Sequence, residues 1–285
     1  MTKRIIFLVT AMVSILLLQN CAAVPSDTDV AVEDSNCSSQ TPRSQEQSAN
    51  FPKVSFAYDP KFFSSVTREE ILEDLPLQSS DDKPGENFPK HVVFHLTYGE
   101  QDATIRILPV SEYRRMYAVS KDLTRSFEKS LDGVYRASAN TNFRLDKQMP
   151  FIPFYDASQE FQDKVKRISF QNGSGFFFLT EYTIEPTIMT NDDLRFFYQG
   201  ISNGGNYYVL AEFPVDAPFL PKDSSTTSSE DKILLKKFYS GESGGREYEK
   251  YISAIAKRLE KLPDNRFQPN LKKFEEIITS LKIEN

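Results

Sequence analysis

Between Lys164 and Val215, apolar residues crowd into the runs KVKRISF, SGFFFLTEYTI, DLRFFYQGIS and NYYVLAEFPV, with Asn-Gly turn signals at Asn172-Gly173 and Asn203-Gly204. The pattern predicts an antiparallel sheet that serves as scaffold for the rest of the chain. A two-residue loop at Asn203-Gly204 sets Ile201 opposite Asn206, Phe197 opposite Leu210 and Arg195 opposite Glu212, matching apolar to apolar and joining unlike charges. A four-residue loop, Asn172 to Gly175, sets Phe170 opposite Phe177, Ile168 opposite Leu179 and Lys166 opposite Glu181. In that arrangement Phe177, Leu179, Glu181, Arg195, Phe197, Gln199, Tyr208, Leu210 and Glu212 share one mixed face. Either helices cover it, with charges at the rim, or it is a partly open groove for a ligand or protein partner.

Upstream, Val54, Phe56 and Tyr58 alternate as in a strand. Thr67-Arg68-Glu69-Glu70 reads as a capping box for a short helix over Ile71, Leu72 and Leu75. His91 to Tyr98 and Ala103 to Val110 predict a hairpin through Gly99 to Asp102. Ser111 is placed to cap a helix with Tyr113, Met116 or Tyr117, Leu123, Phe127 and Leu131 inward, interrupted near Ser120 or Lys121 and ending at Gly133. Arg136 to Gln148 reads as loop. Met149 to Tyr155 is too apolar for a free loop and too rich in proline for a regular element, so it should lie packed over the core. A short helix is expected near Ala157 to Asp163, and a surface loop from Asp216 to Asp231. Helical spacing returns at Tyr248, Tyr251, Ile252, Ile255 and Leu259, ending by Pro263; Asn270 then caps a stripe of Leu271, Phe274, Ile277, Ile278 and Leu281. Strands first, helices on one side and no βαβ alternation give an α+β class: an antiparallel meander sheet with helices packed on it, including two C-terminal amphipathic helices.

Residues 1–20 have another character. Lys3 and Arg4 precede an apolar run from Ile5 to Leu18, too short for a membrane span of about 20 residues. Leu18-Gln19-Asn20-Cys21 resembles the lipobox of bacterial lipoproteins, with Asn20 in place of the usual small residue. That resemblance implies a signal segment over 1–20, a lipid on Cys21 and membrane attachment in the bacterial envelope. Ala22 rather than Asp after the cysteine implies the outer membrane. The alternative is an ordinary secretory peptide cut after Ala23. The following Ser/Asp/Gln-rich stretch completes a tether over 21–50 that cannot bury enough apolar surface to order itself, leaving 51–285 as a single globular domain. The sheet stretch, YYVLAEFPV and FEEIITSLKI resemble uncharacterised bacterial envelope lipoproteins. An antiparallel sheet with a terminal amphipathic helix is similar to Mog1/PsbP-like folds, which implies a fold and no functional residue.

Composition narrows the function classes. The 285 residues carry a net charge of −6, which loses Lys3 and Arg4 with the signal segment and becomes −8. Such an acidic chain argues against nucleic acid as a partner. Cys21 and Cys37 are the only cysteines, so 51–285 holds neither a disulfide nor a thiolate metal site. His91 and His95 share helical spacing, yet the flanking VVF and LTY favour a strand, and no metal is expected there. Gly241-Glu242-Ser243-Gly244-Gly245 matches G-x-S-x-G, and Ile233 to Tyr239 could be the strand before it. Both histidines, however, precede Ser243, against the chain order of that mechanism. Asn172-Gly173-Ser174-Gly175 lacks the lysine of a phosphate loop and reads as a turn. The expectation is a non-enzymatic binding or assembly module without cofactor, whose partner is an envelope protein or a small molecule. The alternative is a secreted or envelope hydrolase with a carboxylate or serine site.

Overall fold

The computed structural model describes residues 51–72, 87–139, 150–152, 157–241 and 244–284. The N-terminal half contributes strands β1 (Lys53–Ser55), β2 (Ser65–Ile71), β3 (His91–Tyr98) and β4 (Gln101–Pro109), then helices α1 (Val110–Tyr117) and α2 (Lys121–Ala139). Strands β5 (Ser158–Gln159), β6 (Asp163–Phe170), β7 (Gly173–Thr180), β8 (Tyr182–Thr183), β9 (Arg195–Ser202) and β10 (Tyr207–Pro214) follow. Helices α3 (Ser229–Ser240), α4 (Gly244–Lys261) and α5 (Lys272–Ser280) lead to the last strand, β11 (Lys282–Glu284).

The expected α+β class is present. Seven strands form one antiparallel sheet in the order β2-β3-β4-β10-β9-β7-β6, so two meanders meet at the β4–β10 pair. Alternate residues of the central strands feed two separate cores. Phe177, Leu179, Phe196, Tyr198, Val209 and Phe213 pack with Leu259 of α4 and Phe274, Ile277 and Ile278 of α5. Phe176, Phe178, Phe197, Ile201, Tyr208 and Leu210 pack with Tyr113, Tyr117, Phe127 and Leu131 of α1 and α2. Helices therefore cover both faces, where the sequence suggested one. A sheet whose strands are apolar on both sides requires this.

The four core strands form as expected, but their turns differ. The first hairpin turns through Gln171-Asn172, with Phe170 opposite Gly173 and Lys166 opposite Phe177. Gly173 and Gly175 are strand residues, not turn residues, because aromatic rings lie over them. A Cβ on Gly173 would stand 2.0 Å from the Phe170 ring, and one on Gly175 would stand 2.1 Å from the Gln199 carbonyl oxygen. The β9–β10 loop is longer than expected, pairing Ile201 with Tyr208, Gln199 with Leu210 and Phe197 with Glu212. Ser202 closes it, its carbonyl accepting from Gly205 N at 2.7 Å and its hydroxyl oxygen from Tyr207 N at 3.0 Å. The register thus slips by two from the expected one. An even slip keeps every side chain on its face.

Two expected helices are strands. Thr67 to Glu70 lies inside edge strand β2, paired with β3 from Ser65 opposite Thr97 to Ile71 opposite His91; Leu75 lies outside the described residues. Ser158-Gln159 pairs with Tyr182-Thr183. The β3–β4 turn is tighter than expected, with Tyr98 opposite Gln101. The helix expected from Ser111 is broken at Ala118 to Ser120, and α2 continues through Gly133, whose missing side chain admits Pro150. Phe151 and Ile152 are buried as expected of their stretch, while 153–156 lie outside the described residues. The two closing amphipathic helices stand as α4 and α5, and Asn270 Oδ1 accepts from Lys272 N at 3.1 Å.

Candidate functional site

At one end of the sheet, the β3–β4 turn faces three later loops across a cleft of about 620 Å³. Gly99, at φ 58°, makes the tight turn that brings Glu100 and Gln101 to its edge. Asn191-Asp192 lines it just before β9, Asp216 and Lys222 just after β10, and Gln268-Pro269 before α5. Backbone hydrogen bonds tie these loops together. Asp216 and Gln268 exchange N–H···O bonds of 2.7 and 2.9 Å; Asn191 N donates to Pro221 O at 2.9 Å and Asp192 N to Lys222 O at 3.2 Å. Ala217 N also donates to Asn191 Oδ1 at 2.8 Å. Loops held in this way present their side chains at fixed positions, which reduces the ordering cost of binding.

Half-buried Asp216 is the central polar group of the cleft. Gln101 Nε2 donates to its Oδ1 at 2.9 Å, and its Oδ2 has no hydrogen-bond partner among the described residues. Burial raises its pKa and Asp192 adds to the rise, while the Gln101 hydrogen bond and the Lys222 and Arg195 charges oppose it. Tyr98 donates its hydroxyl to Pro214 O at 2.6 Å and stacks on Phe62 with ring centroids 5.5 Å apart. Burial pushes the Tyr98 hydroxyl pKa well up, so it remains a donor.

A second polar group lies beyond the end of β7. Glu181 is 1% exposed, and neither of its carboxylate oxygens has a hydrogen-bond partner among the described residues. Burial raises its pKa to about 8, reinforced by Asp193 and Glu160 and opposed by Arg195. Beside it, Tyr248 and Tyr251 of α4 accept hydrogen bonds from Thr187 N at 3.2 Å and Met189 N at 3.1 Å. These bonds tie α4 to the segment leaving the sheet.

The residues expected on one mixed face are divided by the fold. Phe177 belongs to the α4–α5 face, whereas Phe197 and Tyr208 belong to the α1–α2 face. The connection from β7 to β9 is not a tight turn, and its length sets the relative parity of the two strands: Phe177 pairs with Tyr198, and Phe178 with Phe197. An open groove across Phe177, Phe197, Gln199 and Tyr208 is overturned, because all four are buried. Gln199 and Tyr208 do converge: Tyr208 donates its hydroxyl to Gln199 Oε1 at 2.6 Å, and Gln199 Nε2 donates to Pro150 O at 2.8 Å. This is a polar bond holding the 150–152 segment onto the sheet. Arg195 and Glu212 form an ion pair of 3.1 Å, about a third exposed, at the cleft end of the sheet. Arg195 also donates to the backbone oxygen of Asp192 at 2.7 Å, fixing one cleft wall.

The remaining motifs do not come together. His91 is buried, its Nδ1 2.7 Å from Pro89 O, while His95 lies 3.2 Å from Glu69. Among the described residues no three His, Cys, Asp or Glu side chains converge to hold a metal ion. Ser243 and Cys21 lie outside the described residues. The segment before Ser243 is helix α3, so the strand-turn-helix context of a nucleophile elbow is absent. The cleft residues Gln101, Asp216 and Lys222 escaped the sequence reading because no motif joins them, and Asp192 stood out there only in an acidic pair with Asp193 read as solvated surface. Compared with models of protein families, with curated proteins and with solved structures, the chain matches none.

Proposed function

We propose that this chain is a bacterial envelope lipoprotein, held to the membrane through Cys21, whose folded domain is a non-enzymatic binding or assembly module. The observation that carries the reading is the order of parts: a positive and apolar leader, Leu18 three residues before Cys21, a polar stretch to residue 50, and then a folded unit whose described residues begin at Phe51. A polar segment of that length spans on the order of 30 Å and makes sense when its far end is held. Diacylglycerol plus an N-acyl chain supplies the two hydrophobic signals that stable anchoring needs. The rigid cleft at the sheet end is where the module would take its partner.

Mass spectrometry of the mature N-terminus tests the anchor. The expected product begins at Cys21 and carries the mass of the lipid; an unmodified chain beginning at Val24 makes this a freely secreted protein. The non-enzymatic reading has its own test with serine-directed phosphonates. No labelling is expected, and stoichiometric labelling lost in Ser243→Ala would overturn that reading.

A further inference from the structure

We infer that α4 is a latch worked by pH: when buried Glu181 ionises, the N-terminal half of the helix and the 184–190 segment come away from the end of the sheet. Glu181 is 1% exposed, and neither carboxyl oxygen has a hydrogen-bond partner among the described residues. The neutral acid is tolerated in such a place, whereas the carboxylate has neither water nor a donor to hold its charge. Glu160 and Asp193 face it with negative charge, and Tyr248 and Tyr251 face it from α4, with Asp231 of α3 behind Tyr251. Arg195 of β9 brings positive charge, but it is already engaged. It donates to Glu212 at 3.1 Å and to the carbonyls of Asp192 and Leu194 at 2.7 and 3.1 Å.

The geometry decides which side yields. On the sheet side the backbone around Glu181 is fixed. Glu160 N donates to its carbonyl at 3.0 Å, the Thr180 hydroxyl donates to Phe161 O, and the next two residues pair as β8 with β5. On the α4 side the hold is slighter. The Tyr248 hydroxyl accepts from Thr187 N at 3.2 Å and donates to Glu160 Oε2 at 3.3 Å, and the Tyr251 hydroxyl accepts from Met189 N at 3.1 Å. From Gly245 to Ala256 only Tyr248 and Ile252 are buried. The far end of the helix is pinned separately, by fully buried Leu259 and by Glu260 Oε2, which accepts from Lys164 N at 2.8 Å. Water therefore reaches an ionised Glu181 most cheaply by a local opening of the first turns of α4. The 184–190 segment runs on to Asn191-Asp192, so the opening begins beside the cleft wall.

The sign follows from linkage. In the closed state burial, Asp193 and Glu160 hold Glu181 neutral up to about pH 8; in the open state it ionises as an ordinary glutamate. Between the two values the opening constant rises about tenfold per pH unit. The test is amide hydrogen exchange, corrected for the intrinsic rate, on the chain from residue 21 carrying Cys21→Ser, between pH 5.5 and 7.5. Protection of Thr187, Met189 and the amides from Tyr248 to Ile252 should fall about tenfold per pH unit and stay below that of Phe94 and Ile105 in the sheet. Glu181→Gln should keep its protection at pH 5.5 and lose most of the fall, which a misfolded variant could not do. Tyr248→Phe should lower Thr187 protection at both ends of the range and leave the pH slope. Carboxyl ¹³C NMR of the parent, which needs no variant, should show Glu181 still protonated at pH 5.5. A carboxyl already ionised there overturns the inference. So does protection at Thr187 and Met189 that is flat with pH, or equal to that of the sheet at pH 7.5, or that falls as steeply in a folded Glu181→Gln.

Discussion

At the scale of single residues, Glu181 carries an unusual electrostatic cost. Its carboxyl is buried without a hydrogen-bond partner among the described residues, and its pKa is lifted from 4.5 to about 8 by burial, then by Asp193 and Glu160. In the unfolded chain it ionises near its ordinary value, so the folded state holds the extra proton between about pH 4.5 and 8. Stability therefore falls as pH rises through that window and levels off above it. The loss is on the order of 5 kcal/mol for a shift of this size. Asp163, raised to about 7 by burial and then Glu260, adds in the same direction. Urea midpoints at pH 5, 6.5 and 8 should decline in the parent, and Glu181→Gln should flatten most of the decline. An unchanged slope in the variant would show that Glu181 does not carry it. Glycine offers a steric contrast. Gly175→Ala drives a Cβ into the Gln199 carbonyl oxygen and the Tyr198 hydroxyl, at 2.1 and 2.4 Å, and should cost about 2 to 4 kcal/mol. Gly245 lies in α4 with nothing within 4 Å of an added Cβ, so Gly245→Ala should stabilise by about 0.5 to 1 kcal/mol. Thermal denaturation of the two variants separates the cases.

Among the elements, the break between α1 and α2 and the β9–β10 pairing are the two most open to test. Ser120 starts α2: its hydroxyl oxygen accepts from Leu123 N at 3.1 Å and its carbonyl from Thr124 N at 3.0 Å. Ser120→Ala should cost about 1 kcal/mol, as for other N-caps, measured by chemical denaturation. The interruption was legible at Ser120 because serine is a local signal. The continuation of α2 past Gly133 was not, because it depends on Pro150 filling the glycine's empty side. Strand β2 shows the same competition. A capping box offers a helix about 1 kcal/mol, whereas pairing from Ser65 to Ile71 satisfies a whole row of backbone groups against β3. The charged Arg68, Glu69 and Glu70 then guard the outer edge. In the β9–β10 pair, the observed register places Arg195 diagonal to Glu212 at 3.1 Å. Both side chains are about a third exposed, so a double-mutant cycle with Arg195→Ala and Glu212→Ala should return only about 0.5 to 1 kcal/mol of coupling. A coupling of zero would mean that Arg195 acts only through its bonds to the Asp192 and Leu194 carbonyls.

At the scale of the whole molecule, the folded unit is closed by its first and last described strands. Strand β1 pairs with β11, Val54 opposite Ile283, so the start and finish of the folded unit lie side by side. Ile283 is 4% exposed, and Asn172 of the β6–β7 turn bonds it twice, donating to its carbonyl at 2.6 Å and accepting from its N–H at 3.2 Å. Ile283→Ala should cost about 2 to 4 kcal/mol. Hydrogen exchange should show faster exchange in Lys53 to Ser55 than in the parent, and equal rates there would show that β1 does not depend on its partner.

What the sequence determined by itself is what repeats at short range. The apolar runs specified the four core strands, the stripes of α4 and α5 specified two helices, and the absence of βαβ alternation specified the α+β class. What only the tertiary structure decided is whatever depends on residues far apart in the chain. The slip of two in the β9–β10 register follows from a loop closed by Ser202, and the strand glycines Gly173 and Gly175 follow from rings that cross them. The division of Phe177 from Phe197 follows from the connection between β7 and β9, whose path no turn rule sets. The cleft is the extreme case. Asp192, Asp216 and Gln268 meet because backbone hydrogen bonds tie three loops together, and Gln101 joins them through its side-chain bond to Asp216; such bonds leave no pattern in the order of the residues.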